Sequence, residues 1–335
     1  MANKHLPLSL LDLAKVVSGA TSAEALADTT KMAQEAEELG LSRFWVAEHH
    51  NMASVASTVP AVLIAHLAAH TDRIRLGSGG VMLPNHAPLA IAEQFAMLAA
   101  LHPDRIDLGL GRAPGTDRMT AVALRRSTDG SEDESFPRDV IDLMGLLGDP
   151  RSDDGLWRHF VATPAATSFP SIVLLGSSDF SARLAGILGL PFGFAHHFDM
   201  GGTTAAVDAY RAAFEPSPAL TEPLVIVTAS AIAANSEEEA TWLAAPQRLF
   251  KWHLRNGRRL TILGPEEALA HPDWDKAAAA QSNAAVGTPD QVAERLAQLV
   301  STTEANELML NIPTFSLQSR LESLRMTVAA WRDQK

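Results

Sequence analysis

A short apolar segment that ends abruptly in ionisable side chains constrains the fold of this chain more than any other feature. Residues 43–50 read Arg-Phe-Trp-Val-Ala-Glu-His-His. Residues 21–39 before them have the apolar spacing and capping box of an amphipathic helix, and Gly40 is the residue type that commonly ends one. A helix, a glycine and a buried strand form an α/β unit, in which the carboxyl end of a parallel strand faces the ligand crevice. Glu48 and His49 are therefore candidate functional residues.

The composition excludes several classes of protein. The chain has 335 residues, of which 47% are hydrophobic, which suffices for one large α/β barrel. A net charge of −12 without a cluster of lysine and arginine argues against a nucleic-acid partner. The absence of cysteine excludes disulfides and thiolate chemistry, and no apolar stretch approaches the roughly 18 residues of a membrane span. The residues before Leu6 are too few and too polar for a signal peptide, so we expect a cytoplasmic protein.

Eight short apolar segments alternate with helical patterns and predict parallel strands. They are residues 6–13, 44–47, 74–83, 106–110, 172–175, 192–195, 224–231 and 308–310. Continuously apolar strands separated by helices fit a sheet covered on both faces, and eight of them favour a closed (β/α)8 TIM barrel over an open doubly wound sheet. We expect a single domain over 1–335 with insertions near 151–170 and 244–287. A mobile acidic stretch over 128–135 and a helix over 137–147 lie between the fourth and fifth strands.

Glycines inside the third predicted strand indicate that something approaches its backbone closely. Residues 74–84 include Gly77, Gly79 and Gly80, and glycines weaken a strand unless a flat or bulky group must lie against it. A planar ring is one explanation, and a β-bulge or barrel kink is the other. The fourth strand is followed by Arg112, a permanently charged side chain on the same side of the sheet, available for an anion or for a surface ion pair.

Two serines follow the fifth predicted strand at the start of a helix. Ser178 and Ser181 can both lie in the first turn, where free backbone N–H groups favour an anion such as a phosphate. Ordinary N-capping explains one serine equally well, and Asp179 would repel a phosphate if it pointed inward. His196 and His197 follow the sixth strand and point to opposite faces if that strand continues, so one of them is expected to line the crevice.

Three of these segments, in their order and spacing, resemble the signatures of the bacterial luciferase-like flavin-dependent monooxygenases. They are residues 44–50, 74–84 and 105–115, with looser similarity through 178–191 and 286–289. The resemblance implies a (β/α)8 barrel that binds FMN, or in some branches F420, at the carboxyl ends of its strands. Gly111 and Pro114 replace bulkier residues of the luciferases themselves, so neither aldehyde oxidation nor light emission is implied.

The resemblance also assigns roles to individual positions of this chain. His49 would be the imidazole near the reactive edge of the flavin. Six positions would bind the cofactor, three against its ring and three at its phosphate: Ser78, Gly79 and Gly80, then Arg112, Ser178 and Ser181. The family often has a non-proline cis peptide within the glycine segment. Glu48 would either orient His49 or form a structural ion pair.

The expected activity is transfer of one oxygen atom from O₂ to a small organic substrate, with reduced FMN as cofactor. No Gly-x-Gly-x-x-Gly turn follows a strand, so we expect a separate NAD(P)H-dependent reductase to supply the reduced flavin. A homodimer is the expected assembly. An F420-dependent oxidoreductase of the same fold is the alternative within the family.

Two readings outside that activity stay open. A metal-dependent barrel hydrolase would use His49, His50, His196 and His197 as ligands, although the first strand ends Leu-Leu-Asp-Leu where such enzymes usually carry His-x-His. A flavin-binding protein without turnover would keep the ring and phosphate contacts. The segment 244–287 contains Arg248, Lys251, Arg255, Arg258 and Arg259 in an acidic protein, so we expect it to be mobile when empty and to close as a lid over an anionic cofactor.

Overall fold

The computed structural model describes residues 6–113, 118–124, 131–198, 201–258 and 260–334. Its strands are β1 Leu8–Asp12, β2 Arg43–Val46, β3 Arg75–Met82, β4 Ile106–Gly111, β5 Ser171–Gly176, β6 Phe192–Phe194, β7 Val225–Ala233, β8 Ala285–Gly287 and β9 Glu307–Asn311. Its α-helices are α1 Ser22–Glu38, α2 Pro60–Ala68, α3 Pro88–Leu101, α4 Arg118–Ala123, α5 Ser131–Leu146, α6 Asp179–Ile187, α7 Thr203–Ala213, α8 Glu237–Arg255, α9 Pro265–Leu269, α10 Trp274–Ala279, α11 Pro289–Thr303 and α12 Leu317–Asp333. Among these helices none is long and apolar enough to cross a membrane.

Eight of the strands close into a parallel barrel, which confirms the predicted (β/α)8 fold. The hydrogen-bonded order is β6-β5-β4-β3-β2-β1-β9-β7, and the pairing of β6 with β7 closes the ring. All pairings are parallel, as crossover helices between successive strands require. All eight predicted strands are present. The ninth, β8, was not predicted, and it pairs only with the carboxyl end of β7.

Alternation along the strands divides the core into two parts. Phe44 and Leu10 face outward into the large cluster between barrel and helices, whereas their neighbours Trp45 and Leu11 face inward. The barrel interior is filled by one apolar side chain from each of five strands: Leu11, Trp45, Val173, Ile226 and Met309. This packed layer means that the barrel is not a channel, so ligands can bind only above it, at the carboxyl ends of the strands.

A charged layer lies inside the barrel at the amino ends of the strands. Asp107 of β4 is fully buried and accepts hydrogen bonds from Arg43 Nη1 at 2.9 Å, from Arg75 Nη2 at 2.6 Å and from Trp45 Nε1 at 3.0 Å. Arg43 Nε also donates to Glu307 of β9 at 2.8 Å. Since these partners belong to β2, β3, β4 and β9, the layer ties one half of the barrel together at the end opposite the ligand crevice.

Two predicted connections differ in detail from the structure. The helix predicted from residue 137 begins at Ser131, and residues 128–130 of the acidic stretch lie outside the described part of the chain. The segment 244–287 is mainly helical, because it comprises the end of α8, then α9, α10 and β8. Ala245, Leu249, Ala268 and Ala277 form its own small apolar core. The organisation as one domain with insertions stays a prediction.

Candidate active site

A cavity with a volume of about 460 Å³ lies at the carboxyl ends of the barrel strands. Of the seven site residues predicted from the sequence, six line it: His49, Gly79, Gly80, Arg112, Ser178 and Ser181. Ser78 does not, because its fully buried hydroxyl donates to the carbonyl oxygen of Gly109 at 2.9 Å. Ser78 can therefore serve the site only through the position of the backbone that follows it.

The glycine segment forms one wall of the cavity. A cis peptide bond joins Gly79 to Gly80, as the family resemblance implied. A Cβ atom on Gly80 would lie 2.5 Å from Leu175 Cδ1 and 2.8 Å from the Gly109 carbonyl oxygen, so β3 and β4 could not approach as they do. The register between the two strands also shifts between Ser78 and Val81. The register shift agrees with the β-bulge that was one explanation of these glycines, and a planar ring lying against them stays a prediction.

Gly77 has a different explanation from its neighbours. A Cβ atom there would lie 2.7 Å from Trp45 Nε1 and 2.6 Å from Asp107 Cβ. The missing side chain is therefore what lets the Trp45 indole reach the Asp107 carboxylate beneath the cavity. This glycine serves the packing of the barrel interior rather than the cavity wall.

The opposite end of the cavity is suited to an anion. Ser178 is the N-cap of α6, and its side chain makes no capping hydrogen bond to the described backbone, so the N–H groups of the first turn stay available. Ser181 is buried beside Gly176 in the same wall. Arg112 also lines this end, with its guanidinium carbon 4.3 Å from the centroid of the Phe180 ring. The side chain of Asp179 is 68% exposed and faces Arg183, so it does not repel an anion here.

His49 has the properties of a reactive imidazole. Its Nδ1 is buried and has no hydrogen-bond partner among the described residues. Burial lowers the pKa of His49, and the nearby charge of Glu48 opposes this shift without cancelling it. The imidazole is therefore neutral near pH 7, with one nitrogen able to accept a proton and the other able to donate one. Such an unpaired buried group is costly unless a ligand pairs with it.

Glu48 is a structural residue rather than the partner of His49. Its fully buried carboxylate contacts His50 Nε2 at 2.8 Å and His86 Nε2 at 2.9 Å, and it accepts from Asn85 Nδ2 and the Met82 backbone N–H. Burial would raise the pKa of Glu48, but the hydrogen bonds and charge of His86, followed by those of His50 and Asn85, hold it below its ordinary value. The carboxylate thus fixes the end of β2 to the end of β3.

The two adjacent histidines after β6 diverge, as predicted. His197 is buried and lines the cavity, whereas Nδ1 of His196 lies 2.7 Å from Thr203 Oγ1. They separate because residues 196–198 form a 3₁₀ turn rather than a continued strand. Burial, and next the positive charge of Lys251, lower the pKa of His197 to about 3.

The histidines of the hydrolase reading do not converge as metal ligands. Among the described residues, the one group whose ligand atoms all lie within 4.8 Å of one another is His253 of α8 with His271 and Asp273 of the connection between α9 and α10, and none of the three lines the larger cavity. His50 is instead held by Glu48 and His196 lies against Thr203. This geometry does not support a metal centre built from His49, His50, His196 and His197.

A second, smaller cavity adjoins the first, and the sequence did not reveal it. It has a volume of about 60 Å³ and shares Leu13, His49, His197 and Phe198 with the larger one. Lys15 and Lys251 also line it, from the loop after β1 and from α8. Because Lys15 and Lys251 are more than two hundred residues apart in the sequence, their proximity could not be predicted from it. The available signal was the position of Lys15, directly after the first strand.

The basic residues of the segment 244–287 are used differently from the lid expectation. Arg248 donates to the carbonyl oxygens of Ala278 and Ala280, and Arg255 donates to that of Gln281 at 3.1 Å. These two guanidinium groups therefore hold the segment together, and neither lines the larger cavity; closure of the segment as a lid stays a prediction. Arg259 lies outside the described residues.

This chain is similar in sequence to known monooxygenases over most of its length. A model of the luciferase-like monooxygenase family matches residues 7–304. A luciferase-like monooxygenase of Escherichia coli K12 is 41% identical, covering 98% of both chains, and the N-acetyl-S-alkylcysteine monooxygenase of Bacillus subtilis is 35% identical, covering 91% of this chain and 92% of the relative.

Two solved structures are similar to this chain in fold. The crystal structure of apo-MsnO8 superimposes with a TM-score of 0.90 at 36% identity and 99% coverage of both chains. The oxygenating constituent of 3,6-diketocamphane monooxygenase from Pseudomonas putida, solved with FMN, has a TM-score of 0.76 at 17% identity, covering 100% of this chain and 99% of the other, which shows a shared fold.

Proposed function

The chain belongs to the luciferase-like monooxygenase family, and from this premise we propose that it uses reduced FMN and O₂ to oxidise a small organic substrate. One observation carries the proposal: a single cavity is lined by Gly79 and Gly80, by the N-terminal end of α6 and by an imidazole whose buried Nδ1 has no hydrogen-bond partner among the described residues. A flavin mononucleotide offers the matching groups, a planar ring and a phosphate. The name of the Bacillus subtilis relative makes N-acetyl-S-alkylcysteines the first substrates to assay.

The residues that would hold the cofactor follow from the cavity. Gly79 and Gly80 would lie against the ring, while Arg112, Ser178 and Ser181 would bind the phosphate through charge and hydrogen bonds. When bound, reduced FMN supplies the electrons that activate O₂. His49 would exchange a proton with the reacting groups through a ring that is neutral near pH 7. The packed barrel interior excludes water from below.

Partners and assembly are part of the proposal. A separate NAD(P)H-dependent flavin reductase would supply reduced FMN. The reason is that no Gly-x-Gly-x-x-Gly turn, which would bind a dinucleotide, follows a strand in this sequence. We propose that the protein acts as a homodimer in the cytoplasm. An F420-dependent reaction is the alternative, and cofactor titration separates the two.

The first prediction concerns the phosphate. Wild-type protein is expected to bind reduced FMN more tightly than reduced riboflavin, which lacks the phosphate. Arg112→Ala is expected to weaken FMN binding by about 1–3 kcal/mol, or roughly five- to 150-fold, and to leave riboflavin binding nearly unchanged. Anaerobic titration followed by fluorescence measures both affinities, with reduced F420 offered in parallel.

Arg183→Ala is the matched control, because Arg183 lies on α6, the helix that carries Ser181, but is exposed and faces Asp179. It is expected to change neither affinity. Equal affinity of the wild type for FMN and riboflavin would contradict the phosphate assignment. Tighter binding of F420 than of FMN would favour the alternative cofactor.

The second prediction concerns the segment 244–287. Lys251 Nζ donates to the carbonyl oxygen of His197 at 2.8 Å, and Asn283 bonds the carbonyl oxygen of His196, so the segment is attached to the cavity wall. A cofactor that fills the cavity should stabilise this attachment. Trypsin is therefore expected to cut this segment early in cofactor-free protein and more slowly with reduced FMN. Mass spectrometry of timed digests identifies the cuts, and identical digests with and without cofactor would count against coupling between segment and cavity.

A further inference from the structure

The smaller cavity combines an apolar wall with two ammonium groups. Its lining includes Met52, Val55, Phe250, Leu254 and Ile262, and both Lys15 and Lys251 reach it. A volume of about 60 Å³ compares with the roughly 10–15 Å³ that one water requires, so the space admits a small polar group. Because His49 and His197 line both cavities, a molecule in the smaller one would extend toward the proposed cofactor site.

Neither lysine has a negatively charged partner. Lys15 Nζ donates to the side-chain oxygen of Gln247 at 2.7 Å, and Lys251 Nζ donates to the carbonyl oxygen of His197 at 2.8 Å. Both acceptors are neutral, and no carboxylate among the described residues forms an ion pair with either ammonium.

The charges of the two lysines are costly in the protein as it stands. Burial, and then the charge of Lys251, lower the pKa of Lys15 to about 7. Burial, and then Arg255, lower the pKa of Lys251 to about 8. Two partly buried cations that repel each other are stabilised by an anion that binds between them. A lysine needed only for packing would gain nothing from this arrangement.

We propose that the substrate carries a carboxylate that binds Lys15 and Lys251, while its apolar body lies against Phe250 and Leu254 and its reacting atom points toward His49. This inference rests on the proposed function, because it takes the larger cavity as the cofactor site. It limits the substrates to small apolar carboxylic acids and excludes their neutral analogues.

Hexanoate and hexanamide test the proposal, because they have nearly the same shape and differ in charge. Anaerobic calorimetry of the protein loaded with reduced FMN, at slightly acidic pH where Lys15 is protonated, gives both affinities without turnover. Wild type is expected to bind hexanoate at least about tenfold more tightly than hexanamide, as charge-assisted hydrogen bonds require. Lys15→Met or Lys251→Met, which keep the length of the side chain, should remove this preference.

Lys31→Met is the matched control, since Lys31 is exposed on α1, and it should keep the preference. Equal affinity of the wild type for the two probes, no binding of either, or a preference retained in both lysine variants would overturn the proposal. Weaker FMN binding in the lysine variants would also overturn it, because the lysines would then hold the cofactor phosphate. If the wild type binds no FMN, the proposed function is contradicted instead. In that case the relative affinity of the cofactor-free protein for hexanoate and hexanamide decides the inference.

Discussion

Replacing His49 with asparagine is expected to leave the affinity for reduced FMN nearly unchanged while product formation falls by about a hundredfold or more. An amide fills a similar volume and donates a hydrogen bond, but it cannot exchange a proton near neutral pH. Loss of a positioned proton donor or acceptor commonly costs about 10²–10⁴ in rate. The variant is therefore expected to consume O₂ and release hydrogen peroxide faster than the wild type, with little oxidised substrate.

Rapid mixing of the protein loaded with reduced FMN against O₂, with peroxide and product quantified, checks this result. His159→Asn is the control, because His159 is an exposed imidazole in the segment 151–170 and does not line the cavity. Unchanged peroxide release and product yield in His49→Asn would refute the role of His49. The assignment would then move to His197, the other imidazole that lines the cavity, or to a flavin-binding protein without turnover.

Replacing Asp107 with asparagine is expected to lower the free energy of unfolding by about 3–5 kcal/mol, the cost of removing one partner from a buried ion pair. The change leaves the guanidinium groups of Arg43 and Arg75 without their shared counterion inside the barrel. The lower end of that range is expected, because the Arg75 side chain is 32% exposed and water can solvate it. Urea denaturation followed by circular dichroism measures the change.

Asp179→Asn provides the comparison, because Asp179 is 68% exposed and its distance to Arg183 is 3.8 Å. Exposed pairs of this kind contribute about 0–1 kcal/mol, so stability should be nearly unchanged. A loss in Asp107→Asn no larger than in Asp179→Asn would show that the charged layer does not stabilise the barrel.

The barrel could be predicted because its signals are local. Each strand is a short apolar run, and each is followed by residues that mark its end, as in the segment from Phe44 to His50. The position of the crevice follows from the strand direction, so His49, Arg112 and Ser178 could be assigned to one side of the sheet from the sequence alone. Their functional roles remain predictions.

Contacts between distant residues could not be predicted in the same way. Lys15 and Lys251, which both line the smaller cavity, are more than two hundred residues apart in the sequence. The residues around either lysine give no indication that the other lies nearby. Asp107 interrupts an apolar strand, which signals an unusual environment but does not identify Arg43 and Arg75 as partners. The sequence also did not show that the Ser78 hydroxyl donates to the Gly109 carbonyl oxygen of the neighbouring strand instead of lining the cavity.

The network around Glu48 has a consequence for altering this protein by design. Neighbouring side chains of an extended segment point in opposite directions, so Glu48 can be anchored in the wall while His49 enters the cavity. Glu48 therefore holds the backbone in place, while the next residue presents its side chain to the cavity. A library randomised at position 49 can explore new chemistry on a backbone that Glu48 continues to hold, whereas randomising position 48 would sacrifice the scaffold on which every variant depends.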